Sequence, residues 1–267
     1  MNYLGKTYSH FYYNSKTERK TNLTLADANP FILFMPSHLV TVAISVFLFI
    51  YIPLRISKNP KADWVGYFCK ILGILLIGNE LGWVIYKFNI VGGGWAEYMP
   101  FELCTINAYL LGFLLIFRPT YAVFEVLYFF SMAGTVQGIL TPRLFAAFPH
   151  YLFWEYFITH TGIVLGALVL IFRYNWKVTW LSLWRAFLWL QVIAFFNLVF
   201  DFTFEVNYMF MRNLPRVPSV IDYFGQWPWY IFACEAFGLA SFIFYLLPFL
   251  LINYRNTPKI IQIKYRI

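Results

Sequence analysis

The chain has 267 residues, of which 61% are hydrophobic, 23% aromatic and only 12% charged, and its mean hydropathy is +0.63. That composition excludes an ordinary soluble domain and makes lipid the solvent for most of the surface. The formal net charge of +8 falls mainly in tails and connections, where basic excess reports membrane topology and not a nucleic-acid partner.

Residues 1–30 read as an N-terminal extramembrane segment: Lys6, Lys16, Arg19 and Lys20 lie among Asn, Thr and Tyr without the apolar core of a cleavable signal peptide. The first apolar segment is therefore expected to be a retained span. A spanning helix needs about 20 mainly apolar residues. Seven segments qualify: Phe31 to Leu54, Val65 to Phe88, Pro100 to Phe117, Tyr121 to Leu140, Tyr151 to Phe172, Trp180 to Phe204 and Trp229 to Asn253. The expected fold is an all-α membrane protein, a polytopic bundle of seven transmembrane helices over residues 31–253. The breaks carry turn and helix-stop residues, as in Asn59-Pro60, Gly92-Gly-Gly94, Arg118-Pro119 and Thr141-Pro142. The connection 205–228 holds three prolines and several aromatics, so it is expected to pack back on the bundle mouth. Residues 254–267 read as a basic C-terminal tail.

Seven crossings put the termini on opposite sides. The short connections on the C-terminal side carry Arg55, Lys58, Lys61, Arg118, Arg173 and Lys177, whereas those on the other side carry Lys87, Arg143, Arg212 and Arg216. By the positive-inside rule this favours a cytoplasmic C-terminus and an external N-terminus in the cell membrane.

Polar side chains inside spans are costly, so their depth is informative. At roughly 1.5 Å of rise per residue, His38, Asn79, Glu80, Glu102, Cys104, Asn107, Gln137, Glu155, His160, Asn197, Asp201 and Glu235 all fall in the half nearer the N-terminal face. Only Lys70, Glu125, Arg185 and Gln191 fall clearly in the other half. Such segregation predicts a polar cavity open to the N-terminal side.

Within that set, Cys104 and His160 form a candidate covalent catalyst. Cys104 lies about one turn inside a helix expected to start at Pro100, and a thiol near a helix N-terminus beside an imidazole gains thiolate character. Gln137 falls at comparable depth as an oxyanion donor. Asn79, Glu80, Glu102, Asn107, Asn197 and Asp201 are candidate substrate contacts, and Asn79, Glu80, Asn197 and Asp201 read equally well as interhelical hydrogen-bonding groups. A cysteine in an apolar helix is commonly a small core residue. In the last connection, Arg212 is a candidate for a phospholipid headgroup. Trp227 and Tyr230 belong to an aromatic cluster that is either an interfacial belt or a lid. Cys69, Cys104 and Cys234 show no metal or disulfide spacing, and His38, His150 and His160 show no ligand spacing, so neither a metal nor a cofactor is expected.

Four blocks carry a family resemblance: Met99-Pro-Phe-Glu-Leu-Cys104; Gly134-Thr-Val-Gln-Gly-Ile-Leu-Thr-Pro142; Phe148-Pro-His150 with Phe157-Ile-Thr-His160; and Asn207-Tyr-Met-Phe-Met-Arg212 leading to Gly225-Gln-Trp-Pro-Trp-Tyr230. Together they resemble the YwaF-like bacterial membrane proteins related to animal transmembrane protein 164. The resemblance implies a lipid acyltransferase acting on phospholipids or lysophospholipids, with Cys104 as nucleophile and His160 as base. Many relatives have histidine where this chain has Glu102. The competing expectation is a transporter or binding protein for a small polar or lipid ligand in the same cavity, or a structural membrane subunit.

Overall fold

The structure is a computed structural model that describes residues 29–91, 94–117, 119–215 and 220–256. The N-terminal segment before residue 29 and the basic tail after Asn256 lie outside the described residues, as do Arg118 and Arg216. In chain order the helices are α1 (Pro36–Lys58), α2 (Asp63–Tyr86), α3 (Leu103–Ile116), α4 (Tyr121–Leu140), α5 (Tyr151–Tyr174), α6 (Trp180–Phe204) and α7 (Trp229–Asn256). No strand occurs among the described residues; an isolated antiparallel bridge joins Pro30 to Ala146.

Local chemistry sets the helix ends. Pro36 opens α1, where its missing N–H is not needed. Thr179 and Ser182 form a reciprocal capping box at the start of α6. His150 caps α5 by accepting the Leu152 N–H on Nδ1 at 3.2 Å, and Asn175 ends that helix in the left-handed conformation at φ 51°.

Six of these helices are long and apolar enough to cross a membrane. The seventh, α3, has 14 residues and rises roughly 21 Å, against a hydrocarbon core of about 30 Å. The helix expected from Pro100 begins at Leu103 because Glu102 stays extended (φ −66°, ψ 138°). Helix α4 is interrupted by a π turn at Phe130–Thr135, a distortion that often accompanies functional sites.

Helices α2, α3 and α5 pack closely at the centre. A Cβ added to Gly73 would stand 2.6 Å from the Gly112 carbonyl oxygen, and one added to Gly166 would stand 2.9 Å from Leu111. Only glycine permits such an approach, as is common between membrane helices. Helices α1, α6 and α7 turn Ile44, Phe47, Leu188, Phe195, Phe244 and Leu251 outward, the apolar surface that lipid would cover.

The connections gather at two ends. At one, Ala147 N–H donates to Asn29 O at 2.8 Å, the Tyr208 hydroxyl donates to Ala96 O at 2.8 Å, and the Arg143 guanidinium lies 3.9 Å over the Phe210 ring. At the other, the Tyr121 hydroxyl donates to Lys177 O at 2.6 Å, and Arg185 pairs with the buried Glu125 carboxylate at 2.7 Å.

Candidate functional site

Cys104 is the second residue of α3, nearer the helix N-terminus than a start at Pro100 implies. Its Sγ lies 3.9 Å from the Thr135 hydroxyl, the last residue of the π turn in α4. One turn further along α3, the Asn107 amide donates to the Ser131 hydroxyl at 3.0 Å, which in turn donates to Leu127 O at 2.7 Å. Asn107 is fully buried, so it seats α3 against the distorted stretch of α4. Glu80, Glu102 and Glu155 lie within electrostatic range of the thiol.

His160 on α5 donates from Nδ1 to the carbonyl of Tyr156 at 2.7 Å. A carbonyl only accepts, so the proton sits on Nδ1 and the Nε2 lone pair is free. The Tyr156 ring stacks on the imidazole, with centroids 3.8 Å apart and planes at 15°, and its hydroxyl donates to Gly138 O at 3.0 Å. Gly138 leaves room for both side chains: a Cβ there would stand 2.8 Å from the imidazole Cδ2 and 3.2 Å from Nε2. Thr135 and Gly138 are three residues apart on α4, so the thiol and the imidazole border the same turn of that helix. No hydrogen bond joins them among the described contacts.

Behind the thiol, α2 meets α5 through a polar chain. Asn79 donates to the Glu155 carbonyl at 2.9 Å and to the Thr159 hydroxyl at 2.8 Å. Thr159 donates to Glu80 at 3.1 Å, and the second Glu80 carboxylate oxygen is buried without a hydrogen-bond partner. Lys87 interacts electrostatically with Glu102, Glu80 and Glu155 while its ammonium lies 5.2 Å from the Trp83 ring centre. Glu102, just outside α3, keeps accessible surface, yet desolvation raises its carboxyl above the usual range; the Met209 N–H, Arg143 and Lys87 oppose that shift. A side chain lining a cleft, crowded by protein but reachable by water, combines both properties.

The connection 205–228 folds over this end. Asn197 donates to Phe101 O at 3.0 Å, and Asp201 accepts the Tyr208 N–H at 2.9 Å; both are fully buried and tie α6 to its surroundings. Met209 and Phe210 are consecutive left-handed residues, at φ 49° and 60°, a conformation costing roughly 1–2 kcal/mol per non-glycine residue. It is held by the Tyr230 hydroxyl, which donates to Phe210 O at 2.6 Å, and by Glu102, which accepts the Met209 N–H at 3.4 Å. Trp227 donates to Met211 O at 3.1 Å, and Arg212 sits 5.9 Å from the Phe202 ring centre, facing Asp201. Trp227 and Tyr230 thus brace the connection.

Cys104, Glu80, Glu102, Glu155 and His160 therefore gather around one end of α4. Gln137 is exposed on the same turn, but its amide donates to Thr141 at 3.4 Å and not toward Cys104. His38 is drawn away to Ile139 O at 3.0 Å. Thr135, Tyr156, Lys87 and Arg143 complete the site and are absent from the sequence-based set. Lys87 and Arg143 count there as loop charges, and uncharged Thr135 and Tyr156 carry no depth signal. Two mainly apolar pockets flank this end. One, of about 190 Å³, lies beneath Met209–Met211 against Tyr230 and Glu235. The other, of about 450 Å³, lies between Ile106 and Tyr109 of α3 and Phe196 of α6. Neither is lined by Cys104 or His160.

No curated protein and no solved structure matches the chain. The model of the TMEM164 family matches residues 33–246, a stretch that contains every side chain of the cluster around Cys104 and His160, and the chain belongs to that family.

Proposed function

We propose that the protein is a membrane-embedded lipid acyltransferase in which Cys104 is the nucleophile and His160 the base. The observation that carries this reading is that the thiol and an imidazole with a free Nε2 border one turn of α4. In the proposed reaction Nε2 takes the Sγ proton as sulfur attacks the ester carbonyl of a phospholipid. The tetrahedral intermediate collapses to a thioester, and the imidazolium protonates the departing lysophospholipid alkoxide. The hydroxyl of an acceptor lysophospholipid then yields its proton to Nε2 and attacks the thioester, and the thiol is restored. Gln137, turned from Thr141 toward the cleft, is the proposed oxyanion donor together with first-turn N–H groups of α3.

We further infer seven crossings of the cell membrane, with the N-terminus outside and the C-terminus cytoplasmic. The short α3 completes its crossing through the chain that leads from Phe117 to Tyr121, whose hydroxyl reaches Lys177 O. The grouping of connections at two ends supports this path.

The test is transfer of a labelled acyl chain from phospholipid to added lysophospholipid by the full-length protein. Cys104→Ala and His160→Ala are expected to lower the rate on the order of a thousandfold with unchanged melting temperature. Full activity in Cys104→Ala would end the nucleophile assignment. Phospholipid retained by the wild-type protein, with no transfer and no thioester on Cys104, would make it a binding protein instead.

A further inference from the structure

Arg143 stands in the connection between α4 and α5, at the end of the bundle where Cys104 and His160 gather. One face of its guanidinium lies 3.9 Å over the Phe210 ring, and Nη2 is buried without a hydrogen-bond partner. Glu102, Tyr156 and Asp222 are its electrostatic neighbours, yet its side chain forms no hydrogen bond or ion pair among the described residues. A guanidinium carries five donors in a planar fork suited to the oxygens of a carboxylate or phosphate. The guanidinium is seated on the Phe210 ring, and the residue as a whole is half-buried. The strained pair Met209–Phe210 puts that ring in place, and the Tyr230 hydroxyl holds the pair. Strain maintained by several contacts at a cleft is a mark of function.

Depth selects the ligand. Cys104 meets α4 at Thr135, five residues before that helix ends at Leu140, roughly 7.5 Å of rise, and Arg143 lies beyond that end. In a glycerophospholipid the phosphate lies at the interface and the ester carbonyls lie just below it. Arg212, the other described arginine of this end, interacts electrostatically with buried Asp201.

We propose that Arg143 is the anion anchor of this cleft, taking the phosphodiester oxygens of a glycerophospholipid so that its acyl ester is set deeper, toward Cys104. The position of the ester rests on the acyltransferase reading above; the phosphate contact does not. The test is therefore a binding measurement on the full-length Cys104→Ala protein in detergent, which cannot turn over. Its probes are phosphatidylglycerol and diacylglycerol with the same chains, and inorganic phosphate alone.

Arg143→Gln is expected to weaken phosphatidylglycerol binding about tenfold or more while leaving diacylglycerol binding unchanged. Arg143→Lys, which keeps the charge but not the fork, is expected to fall between. Should Arg143→Gln fail to fold, loss of phosphatidylglycerol affinity with retained diacylglycerol affinity in Arg143→Lys makes the same discrimination. Equal weakening for both lipids, or none for either, would overturn the proposal. Arg143-dependent binding of inorganic phosphate without phosphatidylglycerol binding would overturn its assignment to lipid. Loss of transferase activity alone would leave this measurement untouched.

Discussion

The hydrogen bond from His160 Nδ1 to the Tyr156 carbonyl spans a single helical turn, so α5 itself selects the tautomer and aims Nε2 at Gly138. Tyr156 then locks the ring from its face while its hydroxyl holds the Gly138 carbonyl. Imidazole position is thus controlled by the absence of one methyl group. Gly138→Ala would put Cβ 2.8 Å from the imidazole Cδ2 and 3.0 Å from the Tyr156 hydroxyl, so the ring must shift. Misplacement by about 1 Å costs on the order of a hundredfold in rate. The expected outcome is that loss in kcat/KM for acylation of a lysophospholipid, with a melting temperature lowered much less than by an unfolding mutation. Wild-type kcat/KM in this variant would show that the imidazole does not take part.

At the scale of elements, the close approach of α2 and α3 sets the height at which Cys104 meets Thr135. Gly73→Ala places Cβ 2.6 Å from the Gly112 carbonyl oxygen and 2.7 Å from Ile116. Backbone cannot yield as a side chain does, so the helices must separate, and overpacking of this kind costs about 1–3 kcal/mol. A lowered melting temperature of the purified protein is the expected reading; an unchanged one would mean that the two helices slide without penalty. These contacts also mark where the sequence was legible. Hydropathy locates the long helices because each needs an unbroken apolar run, and depth along alternating helices groups Glu80, Glu102, Cys104 and His160. The start of α3 was illegible because Pro100 is a good first helical residue, whereas Glu102 is held extended with its carboxylate on the Met209 N–H, a contact made 107 residues away. The π turn of α4 was illegible because Phe130–Thr135 carries no glycine-proline break in sequence and continues the helical run on either side. Lys87 and Arg143 resemble any basic loop residue in sequence; only the fold turns them onto the carboxylates and onto Phe210.

For the whole molecule, the topology turns on α3. Its neighbours fix both of its ends: Phe101, just before it, accepts from Asn197 near the C-terminal end of α6, while Tyr121, shortly after it, reaches Lys177 between α5 and α6. Since α6 runs from Trp180 to Phe204, those two contacts lie near opposite ends of one long helix, and the chain between them has to traverse most of that length. The 14 helical residues supply roughly 21 Å, and the covalent reach of the chain up to Tyr121, at most about 3.3 Å per residue, covers the remainder. A reporter fused after Trp95 is then expected to be active only in the external form, and one fused after Thr120 only in the cytoplasmic form, as would fusions after Ser57 and Asn175. If the fusions after Trp95 and Thr120 report the same side, α3 is re-entrant, the number of crossings is six, and both termini share one face of the membrane.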